Sequence, residues 1–293
     1  MQEYNYNVPT EKAEALMILD RAAGNKKILA GGTDLTIAIR NEEIYPDAII
    51  DLKNLEELNY IKADNGYIKI GSMTTFTDIA ESELIKSKAK VLQEACEEMG
   101  SPQIRNWATI GGNIVNASPA ADSVPALLVL GAEVKLESVS GVRVLKVEDV
   151  LKGINKTSLK ENEILTEISF KVPSDNAVTG FRKLGRRAAL AIARISIACL
   201  LEVEDNSTSC RDIRISLGAV AKNPFRATEA EEVLKGKDIS LELIDECVET
   251  ISNIAVKTIG NRPSLPFKRQ SIKGISRELL TRLYNEIEQK RRR

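Results

Sequence analysis

The sequence predicts an α+β protein of more than one domain. The first part of the chain mixes short apolar runs with amphipathic stretches. The last part sets a block of long strands ahead of a block of long helices. Between them lies the turn cluster Pro173-Ser174-Asp175-Asn176. A length of 293 residues suits two or three modest domains, and 43% hydrophobic residues can supply their cores.

Taken in order, residues 10–23 predict a helix capped by Thr10, with Ala15, Leu16, Leu19 and Ala22 on one face. Residues 27–30 form a short strand that runs into Ala30-Gly31-Gly32-Thr33-Asp34. Residues 34–39 alternate through Leu35, Ile37 and Ile39 and fit either a strand or a short helix. Residues 48–52 read as a buried strand, which completes a β–α–β unit over residues 1–56. A second unit, 57–174, opens with strands at 60–62 and 67–71 around Asp64-Asn65-Gly66, a hairpin signature. Thr75 caps a short helix to Ile79, 87–99 is one amphipathic helix, and 123–130 is an apolar helix. Strands follow at 132–139 and 164–172. In the third unit, 175–293, strands are expected at 180–184, 190–203 and 213–220, and helices at 227–234, 241–256 and 270–287. In the last helix Ile272, Ile275, Leu279, Leu283 and Ile287 recur at three and four residues. The basic end, 290–293, reads as a frayed, solvated helix terminus.

Composition removes several function classes. Lys and Arg total 41 against 42 acids, a net charge of −1, so there is no basic face for bulk nucleic-acid binding. Aromatics are 4%, too few for base-stacking platforms. Histidine is absent, which excludes Ser–His–Asp and Cys–His catalysis and the commonest metal ligand. Cys96, Cys199, Cys210 and Cys247 form no CxxC pair, so no zinc or iron–sulfur site is expected within this chain. Dispersed cysteines and the lack of a signal pattern or long apolar run point to a soluble cytoplasmic protein without a membrane span.

The informative residues are two glycine pairs beside hydroxyl residues, Gly31-Gly32-Thr33 and Thr109-Ile110-Gly111-Gly112-Asn113. Glycine permits positive φ and close approach of backbone to ligand, and successive free N–H groups make a concave anion site. Two such segments suggest one long anionic ligand held at two places, with a dinucleotide diphosphate as the candidate. The Thr33 hydroxyl would add a donor. Neither segment is a GxGxxG or Walker A motif. Ser118 and Asp122 follow in Ala117-Ser118-Pro119-Ala120-Ala121-Asp122, spaced to hydrogen-bond a polyol or ribose. Asp122 is also a plain N-cap candidate for the helix at 123–130.

These residues carry a family resemblance. AGGTD, then SPQIRNWATIGGNIVNASPAADSVPALLVLGAEVKL, then Phe181-Arg182-Lys183 and the closing Arg262-Pro263-Ser264 and Phe267-Lys268-Arg269, resemble the FAD-binding medium subunit of the molybdenum hydroxylases. That family includes the xanthine, nicotinate and carbon monoxide dehydrogenases, and the resemblance spans essentially the whole chain. Phe267 stands where tyrosine is usual. The resemblance implies a two-subdomain FAD-binding fold of the vanillyl-alcohol-oxidase (PCMH) type followed by a C-terminal α+β domain. It implies non-covalent FAD, with Ile28, Leu29, Ala30, Gly31, Gly32, Thr33, Asp34 and Leu35 around the pyrophosphate. Thr109, Gly111, Gly112 and Asn113 would form a second wall. Asp122 would bond a polar part of FAD, Leu165 would lie against the flavin, and Lys183 would contact the cofactor. No additional iron–sulfur cluster is implied, because 51–99 holds only Cys96.

Flavin chemistry needs no protein base, so the missing histidine is no obstacle. The implied role is electron transfer from a [2Fe–2S] small subunit, fed by a molybdopterin-binding large subunit, through FAD to NAD+ or another acceptor. The implied assembly is a dimer of heterotrimers of the xanthine dehydrogenase type. Two other readings stay open: a stand-alone FAD-dependent oxidoreductase of the same fold, and a cofactor-free assembly subunit.

Overall fold

The computed structural model describes residues 3–187 and 191–292. The chain begins with β1 (Asn5–Asn7), α1 (Lys12–Arg21), β2 (Lys26–Leu29), α2 (Leu35–Arg40) and β3 (Ala48–Asp51). The strands form a parallel three-stranded sheet in the order β1-β3-β2. Central β3 is buried at every position, as a strand covered on both faces must be. The ambiguous segment after the first glycine pair is helical. Helix α1 is shorter than expected and lacks the Thr10 cap: the Thr10 N–H donates to the Glu14 carboxylate, and Glu11, which caps by position, makes no side-chain bond.

The second part contains β4 (Ile61–Asp64), β5 (Tyr67–Gly71), α3 (Phe76–Glu81), α4 (Glu83–Lys88), α5 (Lys90–Glu97), α6 (Pro102–Arg105), α7 (Ile110–Asn116) and α8 (Ser123–Leu130). It continues with β6 (Glu133–Ser138), β7 (Gly141–Lys146), α9 (Val147–Val150), β8 (Leu151–Gly153), β9 (Lys156–Thr157) and β10 (Ile164–Lys171). The main sheet is antiparallel, ordered β4-β5-β10-β6-β7. The predicted hairpin is present, with Asn65 (φ 50°) and Gly66 (φ 79°) both left-handed at its turn. Thr75 caps α3 through a full capping box. The single helix expected over 87–99 is instead two helices broken at Ala89 (φ −143°, ψ 52°). The break has a partner: the Val91 N–H leaves the helical ladder and donates to Thr179 Oγ1 of the last sheet at 3.1 Å.

That sheet comprises β11 (Ala177–Leu184), β12 (Ile195–Val203), β13 (Cys210–Gly218) and β14 (Phe225–Arg226), antiparallel in chain order. Strand β12 starts at Ile195 rather than at 190. Leu190 lies outside the described residues. Helices α10 (Thr228–Leu234), α11 (Leu241–Ile259) and α12 (Leu265–Arg291) complete the chain. Helix α12 runs through the expected frayed end, and Lys290 is held there by the carbonyls of Asp175 and Ala177.

Helix α8 joins the parts. Every one of its residues is buried, and it touches β10 on one side and β12 and β13 on the other. From Val124 onward its sequence is entirely apolar, as a helix enclosed on all faces requires. A second tie is polar: both Glu94 carboxylate oxygens accept from Arg282 of α12 (2.7 and 2.8 Å), and Oε2 also accepts the Phe181 N–H. The core around α8 accordingly includes Phe181, Ala198 and Leu200 from the last sheet.

Candidate functional site

The two glycine segments, distant in sequence, pack directly on one another. Strand β2 delivers Ile28 and Leu29, both half-buried, to the turn at 30–34, and α2 leads the chain away from Leu35. A Cβ on Gly31 would stand 1.8 Å from the Trp107 carbonyl oxygen. A Cβ on Gly112 would lie 3.5 Å from Ala30 Cβ and 3.0 Å from Thr109 Oγ1. Gly31 is therefore dictated by contact between the segments. Gly32 is dictated by its backbone, at φ 73°.

The segments differ in what they can offer a ligand. In the first, the N–H groups of Gly31, Gly32, Thr33, Asp34 and Leu35 find no acceptor among the described residues, and the first bonded amide is that of Thr36, to the Gly32 carbonyl. Asp34 is exposed and caps nothing by its side chain. Its nearest partner is the Thr33 hydroxyl at 3.4 Å. This half-exposed run of free amides is an anion cradle.

The second segment is not a left-handed loop. Residues 110–116 are helix α7, and neither Gly111 nor Gly112 has positive φ. The amides there are already used: Ile110 donates to the Thr74 carbonyl, Gly111 to that of Ser72, Gly112 to Thr109 Oγ1 and Asn113 to the Thr109 carbonyl. Thr109 is the N-cap, almost fully buried, and Gly111 is glycine because a Cβ would meet Ser72 at 2.6 Å. The expectation of a second amide cradle is thus corrected. What this segment contributes is a wall of small residues closing on the first.

Downstream, the Asn113 side-chain oxygen accepts from the Ser123 hydroxyl (2.7 Å), which fixes the start of α8. Ser118 is half-buried and its Oγ accepts the Ala120 N–H at 3.3 Å, shaping the turn that leads to Asp122. Asp122 does not cap α8 with its side chain. Its Oδ2 instead accepts from Lys183 Nζ of β11 at 2.7 Å, with both side chains buried. Lys183 also donates to the Glu98 carbonyl. It is no solvated strand lysine. Asp122 Oδ1 is buried and has no partner among the described residues. Burial pushes the Asp122 carboxyl from its ordinary 3.8 up to about 6, against the opposing pull of Lys183.

A raised carboxyl makes the folded state hold its proton more tightly than the unfolded state does. Its stabilising contribution is full below about pH 4 and is lost as pH rises through 6, a change of about 3 kcal/mol. Urea unfolding midpoints compared between the chain and Asp122→Asn at pH 4, 5, 6 and 7 should show the wild type losing ground over that window. Parallel profiles would contradict the assignment.

Leu165 is buried in the core on β10, paired with Leu136 and followed by a bulge. Its neighbour Thr166, not Leu165 itself, is tied to the site through the backbone: the Thr166 carbonyl takes the Ser72 N–H, and the Ser72 carbonyl takes that of Gly111. The structure thus brings 28–35, 109–113 and Ser72 together, and joins 118–122 to Lys183. Sequence reasoning passed over three contributors. Ser72 has a buried, unpartnered Oγ, Trp107 props the first turn through its carbonyl, and Glu98 holds Lys183. Two of the three act through backbone atoms, which leave no mark in side-chain chemistry.

FAD fits these residues. The free amides at 31–35 have the chemistry to take a diphosphate, and the unpartnered Asp122 oxygen that to accept from a hydroxyl. Fold and site together define an FAD-binding α+β flavoprotein. The chain matches the FAD binding domain in molybdopterin dehydrogenase over residues 2–174 and the CO dehydrogenase flavoprotein C-terminal domain over 180–283. The nicotinate dehydrogenase FAD-subunit of Eubacterium barkeri is 33% identical to it, with 98% of each chain covered. The xanthine dehydrogenase FAD-binding subunit of Escherichia coli O157:H7 is 30% identical, with 87% of each covered. Among solved structures, the carbon monoxide dehydrogenase of Hydrogenophaga pseudoflava lacking the Mo-pyranopterin moiety includes a chain that superposes with a TM-score of 0.89. That chain is 26% identical, with 97% of this chain and 98% of that one covered. The protein belongs to the FAD-binding medium subunits of the molybdopterin hydroxylases. Among the described residues no helix is long and apolar enough to cross a membrane, and no cluster of His, Cys, Asp and Glu could hold a metal.

Proposed function

We propose that this chain carries electrons through non-covalently bound FAD, from the [2Fe–2S] clusters of a small partner subunit to NAD+ or another acceptor, within a molybdenum hydroxylase built as a dimer of heterotrimers. The observation that carries the reading is the cradle of free amides at 31–35 in contact with the second glycine segment. When bound, FAD supplies a two-electron carrier. The chain's own residues bind and orient it. Residues 28–35 would take the diphosphate, with 109–113 closing the opposite side. Asp122 would accept a hydroxyl at Oδ1, Lys183 would hold Asp122 and the flavin side, and Leu165 would back the ring. Residues 1–56 and 57–174 form the two FAD subdomains in this reading, and 175–293 the flavoprotein C-terminal domain. Four buried free cysteines agree with a reducing, cytoplasmic location. The purine type of substrate rests on the sequence resemblance, since the relatives divide among nicotinate, glyceraldehyde, xanthine, caffeine and carbon monoxide dehydrogenases.

The purified chain should carry about one FAD, released into the supernatant by acid precipitation, because there is no histidine to form the usual covalent link. It should hydroxylate neither purine nor nicotinate until molybdenum and [2Fe–2S] partners are added. Hydroxylation by the chain alone, free of molybdenum by elemental analysis, would favour a stand-alone oxidoreductase. A colourless chain that cannot be reconstituted would favour the cofactor-free assembly role.

A further inference from the structure

Trp107 is the only tryptophan of the chain, and it is 70% exposed. A large aromatic side chain left in water is unusual for a folded protein and marks a surface that something covers. Among the described residues its indole N–H has no acceptor and no cation stacks on its ring. Its backbone, by contrast, is fixed. The N–H groups of Trp107 and Ala108 both donate to the Ile104 carbonyl, at 3.1 and 2.7 Å. Beside it, the Asn106 side chain accepts from the Thr77 hydroxyl of α3 at 2.6 Å. A free ring on a held backbone is a face that loses little freedom when a ligand covers it.

The location of the ring gives it meaning. The Trp107 carbonyl is the group that Gly31 is shaped to admit, so the indole stands within one side-chain length of the free amides at 31–35. Where the chain leaves the cradle, Leu35 is half-buried and Ile37 is exposed. Amides that suit an anion, bordered by an exposed indole and aliphatic side chains, make the two kinds of surface a nucleotide needs: polar for its phosphates, apolar and flat for its ring. Exposed Gln103 and Asn106 interrupt the apolar surface around Trp107. That suits one flat ring better than a broad protein face.

We propose that the Trp107 indole stacks on a ring system of the dinucleotide whose diphosphate lies in the cradle. The proposal rests on the FAD reading above and adds to it a residue that selects for the ring. The chemistry recognised is a planar aromatic ring tethered to a phosphate. FAD carries two such rings, adenine and isoalloxazine, and the test separates them. Stacking on an aromatic side chain contributes affinity without regard to the hydrogen-bonding edge of the ring, so either can be held in this way.

The test uses the full chain freed of flavin, with the variants Trp107→Leu and Trp107→Phe. Each is titrated with FAD, FMN and ADP by calorimetry. Leucine keeps apolar bulk without a ring, whereas phenylalanine keeps a ring. Trp107→Leu should bind FAD at least about fivefold more weakly, the low end for a lost stacking contact, and Trp107→Phe should recover most of that loss. The three flavin-free chains should melt at the same temperature, because an exposed side chain adds little to the fold. A parallel loss for ADP identifies adenine as the stacked ring, and a parallel loss for FMN identifies isoalloxazine. Equal FAD affinity in all three chains would overturn the proposal alone and leave the FAD reading standing. So would a loss shared equally by both variants and accompanied by a lower melting temperature, which would make Trp107 a packing residue. Unchanged FAD affinity with weaker capture of a [2Fe–2S] partner subunit by Trp107→Leu would assign the ring to that partner instead. A wild type that binds none of the three ligands defeats the FAD reading and this proposal together.

Discussion

Gly31→Val is expected to leave the chain with less than a tenth of the wild-type flavin content. Any Cβ at this position would stand 1.8 Å from the Trp107 carbonyl oxygen, 2.6 Å from its carbonyl carbon and 3.0 Å from Ala108 Cα. These atoms cannot retreat. The Ala108 N–H donates to the Ile104 carbonyl, and the Ala108 carbonyl takes the Phe76 N–H at the start of α3. The turn at 30–34 would have to move instead, carrying the free amides away from the second segment. Overpacking of this kind costs about 1–3 kcal/mol in stability, enough to lower the melting temperature without unfolding the chain. Gly31→Ala should act in the same direction, because the first carbon already clashes. Gly112→Ala should be much milder, since its Cβ meets only Thr109 Oγ1 at 3.0 Å and Ala30 Cβ at 3.5 Å. Flavin absorbance per chain, read beside circular dichroism, decides it. A folded Gly31→Val protein with near-normal flavin would show that contact between the glycine segments does not shape the site.

Lys183→Met should produce the largest loss of stability, about 3–5 kcal/mol at pH 8, the usual cost of stranding one partner of a buried pair. Among the described residues Lys183 is the sole partner of the Asp122 carboxylate, and the other oxygen has none. The loss should shrink toward pH 5. The Asp122 carboxyl, at about 6 in the wild type, is protonated there in any case, so less charge is left uncompensated. Adding Asp122→Asn to Lys183→Met should recover much of the loss at pH 8, because the double variant strands no charge. A double-mutant cycle at both pH values measures the coupling. A cost independent of pH, unrelieved by Asp122→Asn, would mean that Lys183 acts through packing of its stem alone.

The same pair marks the limit of reading the site from sequence. Asp122 before an apolar helix reads equally well as a cap and as a ligand group. Only the approach of β11 to the turn at 118–122 makes it a buried ion pair with one oxygen to spare. Gly111 and Gly112 read as a second amide cradle because glycine pairs usually mark turns. Here glycine serves close packing at a helix start, against Ser72 and Thr109, and the amides are used within the protein. The break at Ala89 was likewise invisible. It depends on Thr179, from another sheet, accepting the Val91 N–H.

What the sequence determined by itself is local. The hairpin at Asn65-Gly66 follows from residues that tolerate positive φ, and the Thr75 cap from a hydroxyl three residues before Asp78. The buried strand 48–51 and the helix α8, apolar from Val124 onward, follow from composition along a few turns of chain. The family membership was also legible there, in the order and wording of the two glycine segments. The tertiary structure decided which amides stay free, which glycine carries the left-handed backbone, and how Asp122 is charged. Those properties depend on neighbours that arrive from distant parts of the chain. Hydrogen-bond satisfaction and desolvation belong to the packed arrangement, not to any residue alone.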